Sequence, residues 1–492
     1  MAASSPFATD YTMPAPRNAN APDIEGSPDA TDYPSVTKSR RAPAISSIPY
    51  YVGQMHHETT TSTAFVEHEL YARMLLLSKR GYPLWKPKAR STQHPELYKR
   101  NGVHIGDVGL LSQFGGFDYL FNVCHGADHE LNLGRVPKDF RPVSGFDAND
   151  VVESTYRPGD YVASDPSRIH QSRVPVGHQG SVNQFEGVPK EFGAGQAFSS
   201  TTSKGAILIL PEGGKRVDYL KPEIFANYTA ENAVSWYTHA QGPMGREARN
   251  GSLYLITGFD KARAWGSATF LSANPENVVL KFVPLKPSKG DSSYPRYHFR
   301  ECHSAVWKSG EDDTYGEQSG SVFLRGYRIA IRKSWFCKMD PGMIKNNDFS
   351  DPDRLLRVPT NLVAWLQSVQ ILVSAWMKQQ FSNDVVEFYY IPNTQVYHPL
   401  DTINSWLLRK RKADIVLSHD DALLAFIRDD DDEMPDSQEL FLRLKKCNPC
   451  VEYGTTSRGH RWAIHQKRTT TFIAALKDSI ICGAHESKVD QC

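Results

Sequence analysis

The strongest metal-like spacing in the chain is Cys447-Asn448-Pro449-Cys450 followed by His460 and His465, a C-x2-C-x9-H-x4-H arrangement. Zinc takes four thiolate or imidazole ligands at tetrahedral corners, and a CxxC turn supplies two of them from one loop. The linker is shorter than the roughly twelve residues of a C2H2 finger. Its sequence, VEYGTTSRG, lacks the apolar pair that packs such a finger. Zinc is therefore the one cofactor that spacing suggests, with Cys447, Cys450, His460 and His465 as its ligands. The competing reading is an ordinary loop cysteine pair near two surface histidines.

Other constellations carry less chemistry. His125 and His129 have the H-x3-H spacing of a metal pair on one helical turn, but Gly126 weakens a helix and a strand runs directly into the segment. A metal there would also need a third ligand, so a polar loop is the expectation. Cys124 beside His125 is no nucleophile–base dyad on a strand, because neighbouring side chains point to opposite faces. Gly213-Gly214-Lys215 follows a strand but lacks the phosphate-loop spacing, with Arg216 where Ser or Thr would stand. Asp260-Lys261 and Trp265-Gly266 punctuate a glycine-rich strand pair; together with Asp107 they are the ligand-binding candidates, namely Asp107, Asp260, Lys261 and Trp265. The ordinary alternative is a turn-capping carboxylate and a ring laid over bare backbone. Catalytic residues are unknown at this level. Two charged runs, Arg409 to Lys412 and Asp429 to Glu433, read as solvated surface. The first suits a helix C-terminus or nuclear import, and the second lacks the alternation and central glycine of a calcium loop.

The elements that must position these residues follow from periodicity. Val103–Val123 and Asn250–Leu271 each read as strand, Gly/Asp turn, strand, hence two hairpins. Gly205 to Leu210 is a continuous apolar run and so a strand buried on both faces. Strands are also expected at 278–284, 294–300 and 320–331, with short strands and long loops over 140–200 and a solvated loop at 308–320. Helices are expected at 62–80, at 222–240 with Ile224, Tyr228, Ala233, Trp236 and Tyr237 inward, and at 361–381, 401–412 and 436–446. Strands first and helices second predict an α+β fold: a largely antiparallel β-rich domain with inserted helices, followed by a helical C-terminal region. The domain boundaries read from this are a leader at 1–55, a β-rich α+β domain at 56–340, a helical region at 341–446, and a short segment with the CxxC at 447–492.

Composition narrows the class. The 492 residues carry a net charge of +1, without the basic excess of a nucleic-acid binder, so no nucleic-acid partner is expected. Residues 1–50 hold eight prolines and no leucine, tryptophan or cysteine, too little apolar surface to offset ordering entropy, so a disordered leader is expected. Seven scattered cysteines and no apolar signal segment predict a cytoplasmic protein, with the nucleus as the alternative. Val358 to Met377 is long enough to span a bilayer, but its Asn, Gln and Ser residues favour a core helix, so no transmembrane span is expected.

As a set the motifs resemble an expanded family of uncharacterised proteins in mushroom-forming fungi. The resemblance covers roughly residues 80–425. It rests on Gly81 to Pro87 (GYPLWKP), Ile105 to Gly109 (IGDVG), Phe117 to Asn122 (FDYLFN), Ala233 to Tyr237 (AVSWY), NGSLYLITGFDK with Trp265-Gly266, Val322 to Arg332, His398 to Asn404 (HPLDTIN) and Val416 to Asp421 (VLSHDD). It implies no activity, cofactor or catalytic residue. Three function classes follow. The first is a non-enzymatic intracellular interaction or sensing protein with a protein partner. The second is an enzyme whose site assembles from dispersed residues such as Asp107, Asp260, Lys261 and His303. The third is a pore-forming protein whose amphipathic hairpins unfurl.

Overall fold

The computed structural model describes residues 67–88, 93–175, 187–275, 278–285, 294–312, 314–332, 396–410, 413–447, 449 and 451–465. The leader, the stretch 358–377 and Cys450 lie outside them.

The chain enters through α1 (Glu67–Leu75), which tightens into a 3-10 turn and stops where Lys79 and Gly81 take positive φ. An extended pair β1 (Tyr82–Pro83) and a short helix α2 (Glu96–Asn101) lead to the first hairpin, β2 (Asp107–Leu111) and β3 (Phe117–Asn122). Then come β4 (Val151–Tyr156), β5 (Asp160–Ala163), β6 (Ile169–Arg173), β7 (Gln196–Ser200), β8 (Gly205–Leu210), β9 (Gly214–Tyr219) and the long helix α3 (Glu223–Gln241). Strands β10 (Leu253–Ala262), β11 (Ala264–Phe270), β12 (Val279–Pro284), β13 (Tyr297–His303), β14 (Val306–Glu311) and β15 (Gly320–Ile331) follow. The C-terminal part holds α4 (Leu400–Lys410), β16 (Ile415–His419), α5 (Ser437–Cys447), β17 (Val451–Thr455) and β18 (Arg461–His465). The class is α+β and largely antiparallel, with inserted helices and a helix-bearing C-terminal part; among the described pairings only β16–β18 is parallel.

Three sheets organise these strands. Ten lie in one sheet along β17-β18-β16-β15-β10-β2-β3, with β1 on β15 and with β9, then β4, joined beyond β10. Two four-stranded sheets run β14-β11-β8-β5 and β13-β12-β7-β6. The second strand of the segment 250–271 therefore does not fold back on the first. The expected Gly/Asp turn does not form. Gly258 and Asp260 both stay within β10, and the chain changes sheet at Arg263: β10 pairs β15, β2 and β9, whereas β11 pairs β8 and β14. The expected loop at 308–320 likewise begins as β14, an edge strand that completes the β11 ladder without needing an apolar pattern.

The core explains the patterns. Ile207 and Ile209 of β8 face Phe198, Leu280, Phe282 and Phe299 of the other small sheet, while Ala206, Leu208 and Leu210 face Leu70, Tyr71 and Met74 of α1 and Trp85. Burial on both faces is why this strand reads as an unbroken apolar run. Trp265 fills the second of these clusters, its ring set against Gly310 and Gly320, where any Cβ would lie within 2.6 Å of it. On α3 the buried positions are Phe225, Ala226, Thr229, Ala230, Ala233, Trp236, Tyr237, His239 and Ala240. The inner face is turned by about one residue from expectation, leaving Ile224 and Tyr228 at its margin. Strands β10 and β15 are buried along their whole length, without the alternation a lipid-facing strand presents. No described helix is long and apolar enough to cross a membrane.

Candidate functional site

Consecutive side chains on a strand face opposite ways, and β10 uses this to separate Asp260 from Lys261. Asp260 is fully buried and accepts from Tyr156 Oη and, at 2.7 Å, from Arg325 Nη1. Arg325, on β15, also pairs through Nε with Asp218 of β9, and donates to the carbonyls of Arg80 (2.7 Å) and Val217 (3.2 Å). Arg216 Nε adds a contact to Asp218 at 2.6 Å. Burial alone would raise Asp218, but the guanidinium groups of Arg325 and Arg216 hold it below the usual carboxylate range. This face is a charge-compensated lock between β9, β10 and β15.

Lys261 lies on the other face with Asp107. Asp107 opens β2 directly opposite Asn122 at the end of β3. Its Oδ1 accepts from Asn122 Nδ2 at 2.7 Å and its Oδ2 from the His104 backbone N–H at 2.6 Å. Burial nevertheless pushes Asp107 up to about 8, against those donors and the charge of Lys261. Lys261 Nζ donates to the Asn101 carbonyl at 2.5 Å. Burial, then the like charge of Lys215 beside it on β9, brings Lys261 down to about 7. His104 Nδ1 stands 3.8 Å from Asp107 Oδ2, and burial holds this imidazole well below its ordinary value. Cys124 Sγ covers Gly106, whose φ of 82° and missing Cβ allow an approach that alanine would bring to 2.3 Å. Burial pushes that thiol far up, so it is no ready nucleophile. His125 and His129 stack at 3.9 Å, and Asn132 Nδ2 holds the turn by donating to the carbonyls of Asn122, His125 and Gly126. An acid near 8 beside an amine near 7 is the pairing general acid–base chemistry uses. Asp107 has no exposed surface, however, and Lys261 only 3 %.

A third buried cluster joins the C-terminal motifs to the sheet. Asp420 accepts from Tyr254 Oη and from the Gly326 N–H (2.9 Å), and its Oδ1 faces His398 Nε2 at 3.5 Å. The His398 ring stacks on Tyr82 at 4.6 Å. Burial pushes Asp420 up to about 7 and His398 down. Nearby, Arg328 grips Asp401 through two bonds of 2.9 and 3.1 Å, tying α4 to β15.

The four sequence-derived ligand candidates therefore divide. Asp107 and Lys261 share a cluster, Asp260 belongs to the Arg325 lock, and Trp265 is core. His303 is exposed at the end of β13. The residues that complete the clusters, His104, Asn122, Tyr156, Asp218 and Arg325, carry no chemical signature in the sequence; only the alternation within paired strands could have pointed to them.

Of the C-x2-C-x9-H-x4-H set, Cys450 lies outside the described residues, and the two histidines do not converge. His460 and His465 bracket β18 end to end, about 16 Å apart at roughly 3.3 Å per residue, whereas two ligands of one zinc lie within about 4 Å of each other. His465 is buried against Phe426, and burial lowers it to about 4. Cys447 is an exposed free thiol at the end of α5. Among the described residues no group of three or more His, Cys, Asp or Glu could hold a metal ion.

An open cleft of about 560 Å³ lies elsewhere, lined by the loops 164–168, 201–204 and 427–432 together with Met74, Leu77 and Lys79. Its walls are hydroxyls and charges of both signs: Ser164, Ser167, Thr201, Thr202 and Ser203 stand among Lys79, Arg168, Lys204, Arg428 and four aspartates. No residue of the three buried clusters lines it. No protein-family model, no curated protein and no solved structure matches the chain.

Proposed function

We propose that this chain is an intracellular, non-enzymatic interaction or sensing protein that engages a protein partner through the 560 Å³ cleft. The observation that carries the reading is the separation of chemistry from access. Asp107, Lys261, His398 and Asp420, all strongly shifted, are buried in the packed interior on strands and on the segments that pack against them. The cleft that a ligand could enter is lined by hydroxyls and ion-paired surface charge. A mixed polar surface of that kind suits reversible recognition of a polar chain segment. The resemblance to the fungal family belongs to the same proposal and adds no activity to it.

A second reading, proton-transfer chemistry at Asp107, Lys261 and His104, is favoured by their opposed shifts toward neutrality. One experiment separates the two. Tagged full-length chain is used to capture proteins from the source cells, in parallel with Arg168→Glu/Lys204→Glu and with Lys261→Met. Loss of a captured protein in the cleft variant, with retention in Lys261→Met, is the expected result. Retention in the cleft variant and loss in Lys261→Met would move function to the buried cluster and sink the cleft reading.

A further inference from the structure

The rim of the cleft is cationic on one side and already occupied on the other. Lys79 follows α1, Arg168 lies in the turn between β5 and β6, and Lys204 lies in the turn between β7 and β8. Each meets one carboxylate from a single run, Asp429 to Glu433. Lys79 Nζ lies 3.2 Å from Asp429, Arg168 Nη1 3.6 Å from Asp432, and Lys204 Nζ 3.6 Å from Glu433. The loop is held to do this at three points. Phe426 and Met434 at its ends are buried, and the Met434 N–H donates to the Arg73 carbonyl at 3.0 Å. Between them Asp431 is gripped by Arg443 through bonds of 2.6 and 2.7 Å, and its Oδ2 also accepts the Arg428 N–H. Asp431 thus anchors the loop, while Asp429, Asp432 and Glu433 reach to the rim.

Two of these outward pairs are solvent-exposed and Lys204–Glu433 is half-exposed, and pairs open to solvent are individually worth about 0–1 kcal/mol. They are strong enough to bias the rim and weak enough to be displaced. We propose that the cationic rim is a docking site for an acidic peptide segment of a partner protein, and that the chain's own run 429–433 is its built-in competitor. Charge and spacing argue for that occupant, because the rim already takes three carboxylates from one five-residue run of a single peptide. Tethering gives the internal run an effective concentration on the order of millimolar, so a partner must carry more acidic groups or bind cooperatively elsewhere in the cleft. This inference rests on the cleft being the functional surface.

The test uses the full chain and a fluorescent peptide of its own sequence, Ile427 to Pro435 (IRDDDDEMP), read by fluorescence polarisation. The wild-type chain should bind it weakly. Asp429→Asn/Asp432→Asn/Glu433→Gln, which leaves the Asp431 anchor intact, should bind at least tenfold more tightly, with affinity falling as salt is raised. Adding Arg168→Ala/Lys204→Ala to that background should abolish binding. The unfolding midpoint of the loop variant should stay near wild type, so a change in affinity is not a change in folding. Equal affinity of wild type and loop variant, or binding that survives loss of Arg168 and Lys204, would overturn the proposal. Capture of a partner in cells that still depends on Arg168 and Lys204, alongside such a result, would leave the cleft reading standing and remove only the acidic-competitor idea.

Discussion

Asp260 and Lys261 are neighbours in sequence and equally buried, yet β10 delivers them to opposite electrostatic solutions. On the Asp260 face a single guanidinium lies between two carboxylates, and every charge has a hydrogen-bonded counterpart. On the Lys261 face the carboxyl of Asp107 is met by an amide and a backbone N–H, and the amine by a backbone carbonyl. Desolvation disfavours any charged form, and only a close opposite charge with satisfied geometry reverses that. On the first face Asp218 is held low and Arg325 high, so both stay ionised, whereas the second moves Asp107 and Lys261 toward neutrality near pH 7–8. Burial alone does not decide whether a residue titrates; the partner on the next strand does.

The largest break in this comparison is Arg325→Met. It leaves buried Asp260 without its ionic partner, takes one of two guanidinium partners from half-buried Asp218 and frees the carbonyls of Arg80 and Val217, so denaturant unfolding should show a loss of about 3–5 kcal/mol. The next two substitutions should cost less and show it in the shape of a pH profile. Asp107 has a folded value, about 8, above its ordinary 3.8. Its contribution to stability is full below about pH 4 and is lost as pH rises toward 8. Asp107→Asn should abolish that decline, changing the slope of stability against pH by on the order of 1 kcal/mol per unit across the window.

Lys261 is the mirror case, with a folded value of about 7 below its ordinary 10.5. Its contribution is full above about pH 10.5 and is lost as pH falls toward 7. Lys261→Met should therefore gain on the wild type as pH is lowered through that window, again on the order of 1 kcal/mol per unit. Unfolding at pH 5, 7 and 9 for the three proteins would check both signs. Parallel profiles for wild type and both variants would show that the second face is ionised like the first.

The same physics sets how much was legible beforehand. Asp107 and Lys261 drew attention in the two glycine-punctuated strand pairs, and they do share a cluster. Asp260 and Trp265, singled out in the same second segment, lie instead in a salt-bridge lock and a packed core. Gly310 and Gly320, not the adjacent Gly266, make room for the Trp265 ring. Asp429 to Glu433 read as solvated charge, and nothing local indicated that Lys79, Arg168 and Lys204 would converge on it across more than two hundred residues. In the zinc pattern the spacing suggested a proximity that His460 and His465 do not have, because spacing is measured along the chain and a strand between two histidines keeps them apart.

What the sequence alone determined is the local and repetitive: antiparallel α+β content, the doubly buried strand at 205–210, the helical stretches at 222–240 and 436–446 and the part of 401–412 that is described, to residue 410, and a near-neutral charge balance. Each is set by side-chain periodicity or composition, which act over a few residues. Tertiary structure alone decided that the chain changes sheet at Arg263, that β16 and β18 extend the main sheet, and which charges find partners. Those outcomes depend on contacts between residues far apart in the chain, where desolvation and pairing geometry, rather than local propensity, fix the free energy.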